Sequence, residues 1–320
     1  MLARFWGTRG SLPVALKGEA VRRKLAQALV AANGRSFTDE AGALAFIDAE
    51  LPFTQAATYG GATSCVELET GAPAFFICDM GSGLREFGLS AMKRCAAGHP
   101  RRYNLFLSHL HWDHIMGFPF FVPAFDPGAE IVIHACHTDA EAALRRQQEE
   151  ISFPVAFDWL RANIRFETVE PGRSYDVDGT EVVAMAQHHS HTSYGYRFTG
   201  ADGRSIVYST DSEHKTDQMD SEDAFVGFFA ASDLVICDTM YSLADTVSLK
   251  EDWGHSSNLV AVDLCHAAGA RRLALFHHEP TYSDEDIERM YRETIRYEEL
   301  TRAGPPLDVL CAYDGFEVEV

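Results

Sequence analysis

The sequence predicts an α/β layered fold, and two patterns of hydrophobic residues carry this prediction. Short apolar runs typical of buried strands recur along the chain, at residues 75–78, 105–107, 131–133, 182–185, 206–208, 234–237 and 273–276. Amphipathic helical patterns are interspersed with them, at residues 84–97, 139–150, 256–268 and 284–301. In 320 residues of which 46% are hydrophobic, this mixture can bury one large core. We therefore expect one domain spanning residues 1–320.

The N-terminal part departs from this pattern, because two helices are expected within a β-rich stretch. Residues 19–32 carry an apolar stripe at helical spacing. Thr38 is a candidate N-cap for a second helix that runs from Asp39 to about Leu51. We treat residues 17–55 as a helical insertion. Two roles stay open for it, padding of the sheet or a lid over a functional site.

The charge and cysteine content limit the classes of partner. The formal charge of −20 makes long nucleic acid an unlikely ligand, since an acidic surface repels phosphates unless positive charge is added locally. Seven cysteines without a CxxC motif favour reduced thiols and a cytoplasmic protein. No signal peptide and no apolar run of transmembrane length is evident, so no membrane association is expected.

The strongest chemical motif follows the apolar run 105–107. Residues 108–114 read SHLHWDH and place four candidate metal ligands within six positions, namely His109, His111, Asp113 and His114. A loop at the carboxyl end of a strand is where an α/β sheet presents a site. The spacing suits two metal ions close together. Imidazole and carboxylate ligands suit zinc, with manganese or iron as alternatives.

One loop cannot complete two metal sites, so further ligands are expected downstream. Three more candidate segments also follow apolar runs, at the carboxyl ends of predicted strands. They are the histidines 188, 189 and 191, then Asp211, and then the pair His277 and His278. Neighbouring histidines leave the choice within each group open.

Taken in this order, the motifs resemble those of the metallo-β-lactamase-fold hydrolases, and most closely the ribonuclease Z-like and PhnP-like phosphodiesterases. The segments that carry the resemblance are residues 5–11, 59–65, 78–83, 109–114, 195–197, 209–211, 253–256 and 275–278. The resemblance covers nearly the whole chain. It implies a four-layer αββα sandwich with a dinuclear metal centre, here with the N-terminal helical insertion.

The resemblance also implies a ligand set for two divalent ions, which we expect to be Zn²⁺, with Mn²⁺ or Fe as alternatives. One ion would be held by His109, His111 and His189, the other by Asp113, His114 and His277, and Asp211 would bridge them. His189 is preferred to its neighbours because it lies six residues before Gly195, as in the family. His277 is preferred to His278 because it directly follows the strand.

Three residues are expected to carry catalysis. Asp113 would orient a hydroxide held between the two metal ions. Related phosphodiesterases use a histidine in a Gly-His-Ser context, paired with an acidic residue, and His255 and Asp238 match this pair. Ribonuclease Z has glutamate where this chain has Asp238. The alternative role for His255 is to cap the helix that begins near Ser256.

Two further groups of residues accompany the motif. Asp79, which ends the strand at 75–78, is expected to support a ligand histidine from behind. Four aromatic side chains surround the motif and could form a stacking wall, with core packing expected for at least two of them. They are Trp112, Phe118, Phe120 and Phe121.

These features favour a metal-dependent phosphodiesterase for a small anionic phosphodiester or a cyclic nucleotide. The first alternative is an endoribonuclease that processes the 3′ ends of tRNA. The second is a lactone or thioester hydrolase, which would not require the pair Asp238 and His255. The third is a ligand sensor with a vestigial site. A homodimer is a further expectation, because dimers are common in the family.

Overall fold

The computed structural model describes residues 1–214, 219–242 and 255–320, without the side chains of residues 219–222. Two seven-stranded sheets account for the strands of these ranges. The first contains β1 (Leu2–Gly7), β2 (Cys65–Glu69), β3 (Phe75–Cys78), β4 (Arg102–Leu107), β5 (Glu130–Ala135), β6 (Asn163–Thr168) and β14 (Glu317–Glu319). The second contains β7 (Ser174–Val177), β8 (Thr180–Gln187), β9 (Ser193–Thr199), β10 (Ser205–Ser209), β11 (Leu234–Asp238), β12 (Arg272–Phe276) and β13 (Asp308–Cys311).

Helices connect the strands and cover the outer faces of both sheets. They are α1 (Gly18–Ala31), α2 (Glu40–Glu50), α3 (Phe53–Ala56), α4 (Leu84–Ala96), α5 (Trp112–Ile115), α6 (Ala140–Gln147), α7 (Met219–Phe229), α8 (Asn258–Ala268) and α9 (Asp284–Thr301). Short 3₁₀ turns add Phe118–Phe120, Val122–Phe125 and Phe157–Trp159.

The two sheets have matching topologies, each half antiparallel and half parallel. The first sheet runs β14-β1-β2-β3-β4-β5-β6, with antiparallel pairing up to β3 and parallel pairing from β3 to β6. The second runs β13-β12-β11-β10-β9-β8-β7, with parallel pairing from β13 to β10 and antiparallel pairing beyond. Parallel neighbours end at the same edge of a sheet, so loops that are distant in sequence meet there.

The core has three apolar layers, which explains why the strands read as continuous apolar runs. In β3 all four residues are buried. Phe75 and Ile77 pack outward with α4, whereas Phe76 and Cys78 pack inward against the other sheet. A third layer lies between the second sheet and α7, α8 and α9. A strand buried on both faces loses the alternation of apolar and polar residues.

The α/β prediction is confirmed, and the layers are those of a sandwich of two sheets flanked by helices. Some helix ends differ from the prediction. The second helix is capped by Asp39, whose side chain accepts from the Gly42 amide, and not by Thr38. The helix predicted at 139–150 spans only Ala140–Gln147. The helix predicted from Ser256 starts at Asn258, with Ser257 as its N-cap.

The N-terminal insertion contains α1, α2 and α3. Helix α1 packs against α3, and Lys24 donates to Asp284 at the start of α9 over 2.8 Å. No residue of α1 is fully buried. The insertion is therefore anchored beside the amino end of α9, through one ion pair and a small apolar contact.

The remaining general expectations concern thiols and membrane association. All seven cysteines are free thiols. Among the residues that the structure describes, no helix combines the length and the apolar character that crossing a bilayer requires.

His134 makes the stability of the fold dependent on pH. It is buried on β5, its ring stacks on Phe106 and its Nε2 lies 3.1 Å from the Asn104 Oδ1. Burial lowers the pKa of His134 to about 4. The unfolded chain takes up this proton near pH 6.5, so the folding free energy from this residue is present above pH 6.5 and is lost as the pH falls towards 4.

We expect the free energy of unfolding to fall by about 2 kcal/mol between pH 7 and pH 5 because of His134 alone. Urea unfolding in the presence of a chelator measures it. His134→Gln keeps a hydrogen-bonding group and should remove that part of the pH dependence. An unchanged pH dependence in the variant would contradict the prediction.

Candidate metal centre

The candidate donors lie in loops that follow strands of both sheets. Residues 108–114 follow β4, His189 follows β8, Asp211 follows β10 and His277 follows β12. The structure brings all seven residues of the predicted ligand set into two groups. In each group the candidate donor atoms lie within 4.8 Å of one another.

The first group consists of His109, His111, His189 and Asp211. The Nδ1 of His111 lies 3.2 Å from the Nε2 of His189. The Oδ2 of Asp211 lies 3.7 Å from the Nε2 of His109 and 3.7 Å from the Nε2 of His189. Three ring nitrogens and one carboxylate oxygen therefore converge on one point.

The second group consists of Asp113, His114, His277 and again Asp211. The two Nε2 atoms of His114 and His277 are 3.3 Å apart. The Oδ1 of Asp211 lies 3.2 Å from each of these nitrogens. The Oδ2 of Asp113 lies 3.1 Å and 3.3 Å from them. Asp211 thus turns one oxygen to each group, which is the arrangement of a bridging carboxylate.

The chemistry of these donors fits divalent cations. Neutral imidazole nitrogens that face each other at 3.3 Å can share one proton but cannot both donate. The Nε2 of His109 is buried and has no hydrogen-bond partner. Buried polar atoms are rarely left in this state. A cation at each group would satisfy these atoms, and a set of imidazoles and carboxylates is one that zinc accepts.

The pKa shifts around the second group also favour a bound cation. Burial opposes charge on His114, but the carboxylates of Asp113, Asp211 and Asp79 raise its pKa well above the usual value. Burial also opposes ionisation of Asp113, whose pKa the nearby His114 lowers. By contrast, burial and the neighbouring His114 hold the pKa of His109 well below 6.5. A bound cation replaces the proton on His114, so metal binding is expected to release protons.

Asp79 supports the second group from behind. Its Oδ2 lies 2.7 Å from the Nδ1 of His114, which directs the Nε2 of that ring towards the donor group. The same carboxylate accepts from the Ser108 amide, the Ser108 hydroxyl and the Tyr208 hydroxyl. Asp79 is fully buried. Asp79 therefore occupies the supporting position predicted for it, and Tyr208 is a further partner that the sequence pattern does not predict.

The backbone around the site is held in unusual conformations. Among the residues that the structure describes, seven non-glycine residues have positive φ angles, and four of them are Ser11, Asp79, Asp211 and His277. Such angles carry strain that the surrounding structure must hold.

The amide of Ser11 donates to the Oδ2 of Asp113 over 2.7 Å. A Cβ at Gly10 would meet the His277 ring at 2.6 Å. The segment at residues 10–11 thus closes one side of the donor cluster, a role that sequence reasoning missed.

His255 and Asp238 form a pair beside the donors. The Nδ1 of His255 lies 2.7 Å from the Oδ2 of Asp238, which ends β11. The His255 ring centre lies 5.2 Å from those of both His189 and His277. Burial opposes the charged form, but Asp238 raises the pKa of His255 to about 9. Since Ser257 caps α8, His255 is not that helix's cap. Trp253 and Gly254 of the predicted motif lie outside the described residues.

The alternatives among neighbouring histidines are separated by their surroundings. His189 belongs to a donor group, whereas His188 and His191 are exposed and belong to none of the groups found among the described residues. His278 is buried, and its Nε2 lies 2.8 Å from the carbonyl oxygen of Ala312, so it packs away from the donors. Burial lowers the pKa of His278 to about 3.

The aromatic residues near the motif divide into two pairs. Phe118 and Phe121 are fully buried in the core, as expected for at least two of the four. Trp112 is 74% exposed and Phe120 is 53% exposed. Their large exposed surfaces therefore contribute little to the core.

Comparison with known proteins agrees with this geometry. The model of the beta-lactamase superfamily domain matches residues 76–278. Ribonuclease Z of Picrophilus torridus is 23% identical in an alignment that covers 58% of this chain and 71% of that protein. The fold is shared with YhfI of Bacillus subtilis, a metallo-beta-lactamase fold protein, at a TM-score of 0.62 and 17% identity over 99% of this chain and 98% of that one. It is also shared with a diphosphatase of the PhnP family, at a TM-score of 0.61 and 16% identity over 100% and 97% of the two chains.

His189 and His188 provide a matched pair of variants for the first donor group. We expect His189→Ala to lower the bound zinc by about one equivalent, because that group loses one of its three ring nitrogens. His188→Ala, one residue away and exposed, should leave zinc binding unchanged. Elemental analysis after dialysis against a weak chelator measures both. The opposite ranking of the two variants would assign the ligand to His188.

Proposed function

This chain belongs to the beta-lactamase superfamily, and from this membership and the donor geometry we propose that it is a metal-dependent phosphodiesterase. The observation that carries the proposal is the pair His255 and Asp238 beside two donor groups. A hydrolase of thioesters needs the cations but not this pair, because a thiolate leaves without a proton. An alkoxide leaving group of a phosphodiester, however, needs a proton.

We assign the cations to the residues already grouped. His109, His111 and His189 would hold one divalent ion, Asp113, His114 and His277 the other, and Asp211 would bridge, with Zn²⁺ as the preferred ion. Bound cations of this kind polarise a phosphoryl oxygen and lower the pKa of water. Asp113, whose Oδ2 accepts from the Ser11 amide, is held in place to orient the attacking water. This assignment leaves the seven cysteines without a catalytic role.

His255 is assigned the role of proton donor to the leaving group. Asp238 fixes the ring, because its Oδ2 binds the Nδ1 while its Oδ1 accepts from the Met240 amide. The Nε2 then carries the proton that can be transferred. A histidine that carboxylates keep protonated at neutral pH is suited to this task.

We propose that the substrate is small, a cyclic nucleotide or a short phosphodiester. The overall charge of −20 disfavours a polymer that must lie along the surface, whereas a small anion needs only to reach the cations. RNA is the second candidate, because the curated relatives are named ribonuclease Z. For an RNA, the cations and a few nearby groups would have to contact a single chain end.

Hydrolysis of bis(p-nitrophenyl) phosphate tests the proposed activity. Protein shown to carry two equivalents of zinc or manganese should release p-nitrophenolate, and Asp211→Ala should abolish the release because both groups lose a donor. Loss of all turnover in chelated wild-type protein and its return with added metal would be the matched control. Fully loaded protein that cleaves neither this compound nor any cyclic nucleotide would refute the proposal.

The leaving group separates the role of His255 from a structural one. Because p-nitrophenolate departs without a proton, His255→Ala should lower its release by less than about tenfold. For a cyclic nucleotide, whose leaving group is an alkoxide, we expect a loss of about 10² or more in kcat. His188→Ala serves as the control histidine for both substrates. Equal losses for the two substrates would remove the proton-donor assignment and leave the metal-dependent activity intact.

A further inference from the structure

The ring of Trp112 is exposed, although Trp112 lies between two candidate metal ligands in the chain. It follows His111 and precedes Asp113. Of its surface, 74% is accessible, although the residues on both sides of it belong to the donor groups. It is the first residue of α5, whose other three residues are all buried. A large apolar ring at this place contributes little to the core.

Differences in burial show from which side a substrate can reach the donors. All four members of the second group are buried. In the first group, His111 is only half buried, whereas just 3% of the His189 side chain is exposed. Ser11 and Gly10 close the side of Asp113 and His277. The open side of the centre is therefore that of His111, and Trp112 is its chain neighbour.

We propose that Trp112 is the stacking surface for the nucleobase of the substrate, an inference that rests on the proposed phosphodiesterase function. Consecutive Cα atoms are about 3.8 Å apart, so the Trp112 ring starts beside a candidate ligand and extends from the donor loop by one side-chain length. A nucleobase is separated from its phosphate by a sugar, which is a similar length. A phosphate at the cations would thus place its base over the indole.

Stacking also suits the charge of this protein. Base–aromatic stacking contributes affinity without any cation, since every base has a π-face. A chain with 27 Lys and Arg against 47 Asp and Glu has few positive groups with which to hold a nucleotide away from the metal ions. The geometry therefore assigns recognition of the phosphate to the donor groups and recognition of the base to Trp112.

Two cyclic phosphates that differ only in the nucleoside part provide the kinetic test. The substrates are 2′,3′-cyclic AMP and glycerol 1,2-cyclic phosphate, which has the same five-membered ring but no base. Trp112→Ala should raise KM for the nucleotide roughly tenfold, the effect of losing one stacked base, and leave the glycerol compound unchanged. Trp159→Ala is the matched control, because Trp159 is also exposed, at 65%, but lies outside the donor loops.

A binding measurement tests the inference independently of turnover. Equilibrium dialysis of the zinc-loaded protein with adenosine 5′-monophosphate should show roughly tenfold weaker binding to Trp112→Ala and near wild-type binding to Trp112→Phe, since phenylalanine also stacks. Quenching of tryptophan fluorescence by the nucleotide should persist in Trp159→Ala and disappear in Trp112→Phe.

The outcomes separate this inference from the proposed function. If the two cyclic phosphates are affected equally by Trp112→Ala, Trp112 acts on the metal loop and the inference is wrong, while the phosphodiesterase proposal stands. If neither is hydrolysed by wild-type protein, the proposed function fails for both, and dialysis alone decides whether Trp112 binds a base. Equal binding of the nucleotide to all four proteins would overturn the inference.

Discussion

The central constraint on this structure is that the fold must hold donor atoms that repel one another close together and away from water. Ring nitrogens that face each other at 3.3 Å and two carboxylates share a buried volume. Each polar group loses hydration there, and only a cation or a shared proton relieves the repulsion. The surroundings must therefore be rigid. Asp79 provides part of this rigidity, because its single carboxylate ties together β3, the loop after β4, and Tyr208 on β10.

The topology of the two sheets explains how one chain brings these donor atoms together. Strands β3 to β6 and β10 to β13 run parallel within their sheets, so their carboxyl ends gather the loops at one edge. The apolar layer between the sheets keeps the two edges in register through rings such as Phe76, Phe106 and Phe276. Positive φ angles at Asp79, Asp211 and His277 turn the chain sharply as each strand ends. The packing of the sheets holds this strain in place.

The charge of −20 and the metal centre become consistent in this arrangement. Cations at the two donor groups would concentrate positive charge on the side that His111 leaves open, while the rest of the surface stays acidic. Such a distribution of charge favours an anion that reaches the centre. Cations at the donor groups would thus provide the affinity for an anion. The exposed ring of Trp112 beside them would discriminate between anions that carry an aromatic group and those that do not.

Several features could be predicted from the sequence because they depend on near neighbours in the chain. Buried strands such as 75–78 follow from local apolar runs, and residues 108–114 bring four candidate donors together by spacing alone. The resemblance to a family added the distant candidates. Helix ends are harder to predict because adjacent polar residues compete for the cap, and the prediction of Thr38 is wrong because Asp39 caps α2.

Tertiary structure alone decided the features that depend on contacts between distant segments. Resemblance to the family favoured His189 over its neighbour His188, but it is the approach of β8 to the loop after β4 that brings His189 against His111. The amide of Ser11 donates to Asp113, which is 102 residues away in the sequence. A hydrogen bond from the main chain cannot be predicted from the type of side chain at that position. The exposure of Trp112 beside the buried Phe118 is of the same kind, since both are apolar rings in one motif. The sequence by itself determined which chemical groups are available, and the packing of the two sheets determined which of them meet.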